Sequence, residues 1–265
     1  MKVTPIPCLS DNYAYLLVCP ETKEAAIVDP SEPDPILAAL QDDGGRRAGD
    51  LKVVAILDTH HHYDHTGGNE AVAKALAIER IYGHASDKGR VPGQTHFLEE
   101  GATFTIGSLL VRVLHIPGHT TGAVAYVVTR EPHDAVVFTG DTMFVGGCGR
   151  IFEGDPPMMH ASLCKLSKLD GRTRMYCGHE YTESNLRFAA HVEPSNAAIT
   201  QARARASALR KEGKPTVATT IAEELTYNPF LRPHSREIRK TLGIADDASN
   251  ADALGAIRSA KDSFT

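Results

Sequence analysis

The 265-residue sequence predicts a mixed α/β domain followed by a smaller helical unit. Through about residue 180, short apolar runs alternate with clusters of Gly, Pro and Asp, a pattern typical of strands and short helices joined by turns. After His179 the runs become rich in Ala, Gln, Arg and Leu and carry capping residues at their ends. We therefore expect an α/β domain over residues 1–180 and a helical domain over residues 181–265.

Several apolar runs in the first region predict strands, because each is short and is bounded by turn residues. These strands are expected at residues 13–18, 25–28, 53–57, 110–116, 123–128 and 135–138. Two helices are expected in the same region. One covers residues 35–40 and would end at Gly44-Gly45, and the other covers residues 70–77, where alanine is frequent.

The second region predicts three helices from their capping signals. The first would run from Asn196, a possible N-cap, to residue 211, before the stop at Gly213. The second would begin at Thr220, which forms a capping-box pattern with Glu223, and would end before a proline. The third covers residues 251–260 and follows the candidate cap Asn250.

A run of potential metal ligands, Thr-His-His-His-Tyr-Asp-His, directly follows the predicted strand at residues 53–57. Alternate residues of an extended chain share a side, so His60 and His62 can bind one ion while His61 points away. Asp64 and His65, beyond the turn, would face a second ion. The alternatives are a polar loop or a purification tag, but a tag would be terminal and would not be interrupted by Tyr-Asp. The run therefore predicts a metal site.

Three further ligand candidates, His119, Asp141 and His179, also follow apolar runs, and each has a glycine directly before it. Glycine lets the backbone bend sharply and approach an ion closely. Taken singly, a histidine here would be read as structural and a Gly-Asp pair as a simple turn. Because all three share the context of the first run, we expect them at one sheet edge and in one site.

The overall composition excludes several functional classes. The formal net charge of −5 and the sequence pI of about 6.2 lack the basic excess of a nucleic-acid-binding protein. No run approaches membrane-spanning length, and the first residues do not resemble a signal peptide. The five cysteines are spread along the chain without a CxxC pair, which favours thiols over disulfides. We expect a cytoplasmic protein with neither nucleic acid nor membrane as a partner.

The order T-H-x-H-x-D-H, P-G-H-T, F-T-G-D-T and G-H-E-Y-T resembles the metallo-β-lactamase-fold hydrolases and, within them, the glyoxalase II (hydroxyacylglutathione hydrolase) family. The segments G-G-C-G-R, H-E-Y-T and Y-N-P-F-L-R narrow the resemblance to glyoxalase II, and it extends from residue 10 to residue 262. It implies an αββα sandwich of two facing sheets with helices outside. It also implies that a C-terminal helical domain closes over the substrate.

The resemblance further implies a centre of two divalent metal ions. Its ligands would form two sets with one shared residue: His60, His62 and His119; Asp64, His65 and His179; and Asp141 as the bridge. Zinc is expected, with iron or manganese as alternatives, because imidazole and carboxylate ligands suit all three.

The activity implied is the hydrolysis of S-(2-hydroxyacyl)glutathione thioesters, typically of S-D-lactoylglutathione to D-lactate and glutathione, in methylglyoxal detoxification. Hydroxide held between the two metals would attack the thioester carbonyl, and glutathione thiolate would leave. Asp64 and Asp141 would be the catalytic carboxylates. Their charges and that of the hydroxide leave about one net positive charge to stabilise the oxyanion.

The resemblance also indicates where glutathione would bind. Glutathione carries two carboxylates, so its site should contain cations and hydrogen-bond donors. The matching positions are Arg150, Tyr181 and Arg232. Pro233-His234-Ser235 displaces the second basic residue of the C-terminal motif, and Arg236 is expected to replace it. Phe152 replaces a tyrosine of some relatives, so one hydroxyl contact is absent. We expect a monomer whose partner is this small molecule.

The same motifs are compatible with other enzyme activities and with a binding protein that has no activity. A mononuclear-iron persulfide dioxygenase or another metallo-β-lactamase-fold hydrolase would keep much of the ligand run, but the helical tail over residues 196–265 is not typical of these enzymes. A binding module that has lost its chemistry would be expected to lose ligands first, and all seven are present.

Overall fold

A computed structural model describes residues 1–41, 51–130 and 134–264. The chain forms two compact units. The first comprises Met1–His115 and Gly122–Gly140, and the second comprises Ile116–Thr121 and Asp141–Thr265. The predicted helix stop at Gly44-Gly45 lies outside the described residues.

The first unit begins with a six-stranded sheet whose strands lie in chain order. These are β1 (Lys2–Cys8), β2 (Asn12–Val18), β3 (Glu24–Val28), β4 (Lys52–Leu57), β5 (Ile81–His84) and β6 (His96–Leu98). The pairs from β1 to β3 are antiparallel, and those from β3 to β6 are parallel. The helices of this unit are α1 (Pro33–Gln41), α2 (Tyr63–Thr66) and α3 (Asn69–Leu76). Ile36 of α1 and Val72 of α3 are fully buried in a core with Ile27 and Ile56 of the sheet.

A second group of strands in this unit faces the first sheet. It is antiparallel and consists of β7 (Thr103–Ile106), β8 (Leu109–His115), β9 (Val124–Arg130) and β10 (Asp134–Phe138). The ring centroids of Tyr15 and Phe138 lie 5.4 Å apart, and the hydroxyl of buried Tyr126 donates a 2.8 Å hydrogen bond to the carbonyl of Asp58. The two sheets of this unit therefore pack face to face, as expected for a β-sandwich.

The second unit is mainly helical. Its strands are β11 (Met143–Phe144), β12 (Gly147–Cys148), β13 (Arg174–Tyr176) and β14 (Ala218–Thr220), paired antiparallel as β11 with β12 and β13 with β14. Its helices are α4 (Pro156–Ser167), α5 (Thr182–Val192), α6 (Ala197–Lys211), α7 (Ile221–Tyr227), α8 (Arg236–Leu242) and α9 (Asn250–Asp262). Helix α4 packs against α9, and α5 packs against α6. Among the residues that the structure describes, none of the helices combines the length and apolarity needed to span a bilayer.

Two of the predicted helix caps are present and one is wrong. The Asn196 side chain accepts a hydrogen bond from the backbone of Ala198, and Thr220 with Glu223 forms the predicted capping box. Helix α9 is capped by Ser249, not by the predicted Asn250. The Asn250 side chain instead accepts a 3.0 Å hydrogen bond from the guanidinium of Arg239.

Candidate metal centre

The histidine run begins directly after β4 and passes through a turn into the short helix α2. The Nε2 atom of His60 lies 3.1 Å from the Nδ1 atom of His62. Two imidazole ligands of one zinc ion, each about 2.0 Å from the metal, are separated by a similar distance. The structure therefore brings His60 and His62 together as the alternation of side chains predicts.

Thr59 determines which nitrogen of His60 can bind a metal. The Thr59 hydroxyl donates a 2.7 Å hydrogen bond to Asp29 Oδ2 and lies 3.1 Å from His60 Nδ1. Because the hydroxyl hydrogen is directed to Asp29, the Thr59 oxygen accepts from a protonated Nδ1. The lone pair of His60 is then on Nε2, the atom that faces His62.

Asp29 also orients His65. The Nδ1 atom of His65 donates a 3.0 Å hydrogen bond to Asp29 Oδ2, and its Nε2 atom lies 3.7 Å from Asp64 Oδ2. The Asn12 side chain donates to that same Asp64 oxygen at 3.0 Å. Asp29 itself has a left-handed backbone with φ of 50°, a conformation that few residues other than glycine adopt and that often marks a functional site.

His61 lies between the two candidate ligands in sequence but has other neighbours. Its Nδ1 atom is 3.4 Å from buried Asp87 Oδ1, and its Nε2 atom contacts the guanidinium of Arg90. The Asp87–His61 contact agrees with the prediction that His61 points away from the side shared by His60 and His62.

The second unit contributes another group of donors around Asp141. Oδ2 of Asp141 lies 3.2 Å from His179 Nε2 and 3.6 Å from His119 Nε2. The Nδ1 atom of His119 donates a 2.9 Å hydrogen bond to the carbonyl of Arg150, which again places the lone pair on Nε2. A single carboxylate oxygen thus lies between two imidazole Nε2 atoms.

Close backbone packing holds this second group. A Cβ atom at Gly149 would lie 2.0 Å from the carbonyl oxygen of Asp141 and 3.0 Å from His119 Nδ1, so only glycine fits there. The His179 ring stacks on the Tyr181 ring with 4.8 Å between centroids and 7° between planes, and it meets Phe144 edge to face at 6.0 Å. Both contacts restrict the orientation of the His179 imidazole.

The chemistry of these donors fits a divalent metal. Imidazole nitrogen and carboxylate oxygen are the donors that zinc and similar ions take in proteins. Three of the histidines, His60, His65 and His119, have the other ring nitrogen held by a hydrogen bond, as metal-binding histidines almost always do. The groups of His and Asp side chains are therefore suited to bind a divalent ion.

Arg150 lines a cavity of about 550 Å³ in the second unit. Phe152 and Arg258 share this lining, and Phe152 also packs against the His119 ring with 5.2 Å between centroids. Arg258 was not a sequence candidate. The only signal for Arg258 in the sequence is that basic residues lie near the end of α9. Nothing in the sequence relates Arg258 to Arg150.

Arg232 and Arg236 are also predicted substrate contacts, but neither of them lines this cavity. Arg232 donates from Nε and Nη2 to Glu193, at 3.0 and 2.7 Å. Although burial opposes the shift, hydrogen bonds from Arg232, Ser235 and Asn196 hold the pKa of Glu193 below its ordinary value. Arg236 is exposed in the first turn of α8. The substrate role of both arginines stays a prediction.

Comparison with known proteins identifies the family. The family model "Metallo-beta-lactamase superfamily" matches residues 10–179, and the model "Hydroxyacylglutathione hydrolase C-terminus" matches residues 180–264. Proteins named hydroxyacylglutathione hydrolase are similar over the whole chain. One from Synechococcus sp. (strain JA-2-3B'a(2-13)) is 43% identical, with both chains fully covered. One from Methylococcus capsulatus (strain ATCC 33009 / NCIMB 11132 / Bath) is 44% identical, with 100% of this chain and 99% of that one covered.

Solved structures support the same fold. The BLEG-1 B3 metallo-beta-lactamase superposes with a TM-score of 0.63 at 27% identity, covering 87% of this chain and 100% of that one. ETHE1 from Myxococcus xanthus gives a TM-score of 0.64 at 24% identity over 98% and 97% of the two chains. The predicted α/β metallo-β-lactamase fold with a C-terminal helical domain is thereby confirmed, and the chain belongs to the hydroxyacylglutathione hydrolase family of the metallo-β-lactamase superfamily.

Proposed function

We propose that this protein hydrolyses S-(2-hydroxyacyl)glutathione thioesters, typically S-D-lactoylglutathione to D-lactate and glutathione, and so acts in methylglyoxal detoxification. The proposal is supported by full-length relatives of that name at 41% to 44% identity. The match of residues 180–264 to the C-terminal domain of these hydrolases favours this activity over a persulfide dioxygenase.

We further propose that the candidate ligands bind two divalent ions. One ion would take His60, His62 and His119, the other would take Asp64, His65 and His179, and Asp141 would bridge them. The observation that carries the proposal is the fixed ring orientation of His60, His65 and His119, in which Nδ1 hydrogen bonds leave Nε2 as the ligand atom. A similar solved structure, TTHA1623, 28% identical with a TM-score of 0.56, is described as di-iron-bound. Zinc is our first choice, with iron or manganese as alternatives.

Divalent ions in such a site lower the pKa of water to about 7 and polarise a carbonyl oxygen, which is the chemistry that thioester hydrolysis requires. The protein side chains keep the donors in place. Asp29 and Thr59 fix the tautomers of His65 and His60, and Asn12 orients the Asp64 carboxylate. Asp141 adds a negative charge between two imidazoles. Because glutathione thiolate is a good leaving group, we assign no residue as a strong general acid.

We assign the thiol carrier to the cavity of the second unit. Arg150 and Arg258 supply two guanidinium groups to its lining, which suits the carboxylates of glutathione. Tyr181, 38% exposed beside His179, offers a hydroxyl near the reacting end.

We also propose a reducing, cytoplasmic location, supported by the five cysteines, each of which is a thiol in the structure.

The test is a steady-state assay with S-D-lactoylglutathione on the full-length, metal-loaded protein, beside an Asp141→Ala variant. We expect the parent to turn over and the variant to lose at least about a hundredfold in kcat/KM, because the bridging carboxylate is gone. Oxygen consumption with glutathione persulfide is expected to be absent. Failure of the parent to hydrolyse the thioester would reject the function, and full activity of the variant would reject the role of Asp141.

A further inference from the structure

The cavity that contains Arg150 and Arg258 also contains a carboxylate. Asp262, near the end of α9, lines it together with Ser259 and Phe152. Oδ1 of Asp262 lies 3.4 Å from Arg150 Nε and accepts a 3.1 Å hydrogen bond from Arg258 Nη2. One carboxylate oxygen therefore contacts both guanidinium groups that we assign to the thiol carrier.

Arg258 is held in place by contacts that do not involve Asp262. Its Nη1 atom donates a 2.7 Å hydrogen bond to the carbonyl of Cys148, and its guanidinium lies over the Phe230 ring at 5.1 Å. The Arg258 residue is 8% exposed, and within the described part of the chain its Nε atom has no hydrogen-bond acceptor. The Nη2 donor of Arg258, which now binds the Asp262 carboxylate, can bind the carboxylate of an acidic ligand instead.

The ion pair between Asp262 and Arg150 is exposed on both sides, whereas the Arg258 side chain that also contacts Asp262 is only 10% exposed. The Asp262 side chain is 43% exposed and that of Arg150 is 66% exposed. An exposed ion pair such as that of Asp262 with Arg150 contributes little to stability, because water and salt screen it. A carboxylate from a ligand can therefore replace the Asp262 carboxylate without a large penalty, and the two carboxylates cannot both lie against the same donors without repelling each other.

Other cations surround the same carboxylate. Lys261 is adjacent in sequence, and its pKa lies below the ordinary value because of burial and because of the positive charges of Arg258, Arg187 and Arg150. Without Asp262 this cluster would be an unbalanced positive group. Its attraction for acidic thiols would then rise, and release of the glutathione product would slow.

We propose that Asp262 is a specificity-determining residue that occupies the carboxylate position of the thiol-carrier pocket and competes with the carboxylate of the incoming ligand. This inference rests on the proposed function, since it concerns the same reaction. Asp262 pairs with Arg150 and Arg258, and a substrate carboxylate displaces it. Asp262 thus limits the affinity for acidic carriers and keeps glutathione exchangeable.

The experiment compares the full-length, metal-loaded parent with Asp262→Asn. Glutathione binding is measured by calorimetry, and hydrolysis is measured with S-D-lactoylglutathione and with the uncharged carrier thioester S-D-lactoyl-N-acetylcysteamine. We expect Asp262→Asn to bind glutathione about three- to tenfold more tightly, with a matching fall in KM for the glutathione thioester. The gain should shrink with added salt, and kcat/KM for the uncharged carrier should not change.

Two further variants separate charge from other effects. Asp262→Ala is expected to shift glutathione affinity in the same direction as Asp262→Asn, because both remove the charge. Asp247→Asn, an exposed residue that does not line the cavity, removes the same charge elsewhere and is expected to behave as the parent. Unchanged or weaker glutathione binding by Asp262→Asn would overturn the inference. Because calorimetry needs no turnover, that outcome is distinct from a parent that does not hydrolyse thioesters, which would overturn the proposed function.

Discussion

The Nδ1 atom of His65 lies 3.0 Å from Oδ2 of Asp29, and both side chains are almost fully buried. The same carboxylate accepts from the backbone and hydroxyl of Thr59 at 2.7 Å each, so one acidic residue determines the tautomers of two candidate ligands. Asp29 is not expected to touch a metal itself. It acts by orienting imidazoles, as carboxylates behind metal-binding histidines do.

Asp29→Asn should therefore weaken metal binding without removing a ligand. We expect a loss of about 10- to 100-fold in metal affinity, measured by competition with a chromogenic chelator, because an amide cannot accept all of these hydrogen bonds. Asp34→Asn, an exposed residue of α1, is the matched control and should bind metal as the parent does. Equal affinities for Asp29→Asn and the parent would show that the Asp29 hydrogen bonds do not support the site.

His61 and His62 provide a paired test of the histidine run. His62→Ala removes a proposed ligand and should reduce the bound metal by about one equivalent per chain. His61→Ala removes a side chain that faces Asp87 and Arg90, so the metal content should stay as in the parent. Elemental analysis of both variants, prepared with the same metal supply, gives the comparison. A larger loss of metal in His61→Ala than in His62→Ala would reverse our assignment.

Glu224 should make folding stability depend on pH. It is fully buried, and its carboxylate accepts from the backbone of Gly146 at 3.0 Å and from Asn228 at 2.8 Å. Burial, only partly offset by these hydrogen bonds, raises its pKa from 4.5 to about 7. Between these values the folded protein keeps a proton that the unfolded chain has released, so the contribution of Glu224 to stability falls as the pH rises through this window. The total change is about 3 kcal/mol.

Glu224→Gln should lose this dependence, because the amide stays neutral at every pH. Urea unfolding of the parent and the variant at about pH 5 and about pH 8 gives the measurement. The free energy of unfolding of the variant minus that of the parent should be larger at about pH 8 than at about pH 5. Glu183→Gln, an exposed residue of α5, is the control and should follow the parent at both values. A variant that differs from the parent equally at both pH values would contradict the proposed titration.

Arg232 is expected to act mainly on stability. Its two hydrogen bonds to Glu193 belong to a group that also includes Ser235. Arg232→Ala should lower the free energy of unfolding by about 1 to 3 kcal/mol, since it leaves a buried carboxylate without its charged donor. Arg203→Ala, an exposed residue of α6, should change it by less than about 0.5 kcal/mol. If Arg232→Ala raised KM for the thioester and left stability unchanged, a direct substrate contact would explain the data better.

The candidate ligands could be recognised in the sequence because they follow recognisable strands. His60, His119 and Asp141 each come shortly after an apolar run that the structure shows as β4, β8 and β10. The expectation of a single sheet edge is wrong for β4, which belongs to the first sheet, whereas β8 and β10 both belong to the second. The caps Asn196 and Thr220 were predictable for a similar reason, since their signals are local.

Other features depend on contacts that no local pattern reveals. Asp29 reads as an ordinary Asp-Pro turn after β3, and its bond to His65 joins residues 36 positions apart. Helix α5 was missed because its N-cap, Tyr181, makes no side-chain cap hydrogen bond and no glycine or proline marks its start. Arg232 was selected by its motif and Arg258 was not, because no local pattern shows that Arg232 faces Glu193 while Arg258 lines a cavity.

Thioester hydrolysis by this protein is proposed to need two ions held by seven side chains. The most direct measurement adds zinc in steps to metal-free, full-length protein and follows bound metal and S-D-lactoylglutathione turnover together. We predict that activity rises to its maximum at about two equivalents per chain and disappears when a chelator removes them. Full turnover at about one equivalent, or turnover that does not respond to metal at all, would contradict the account.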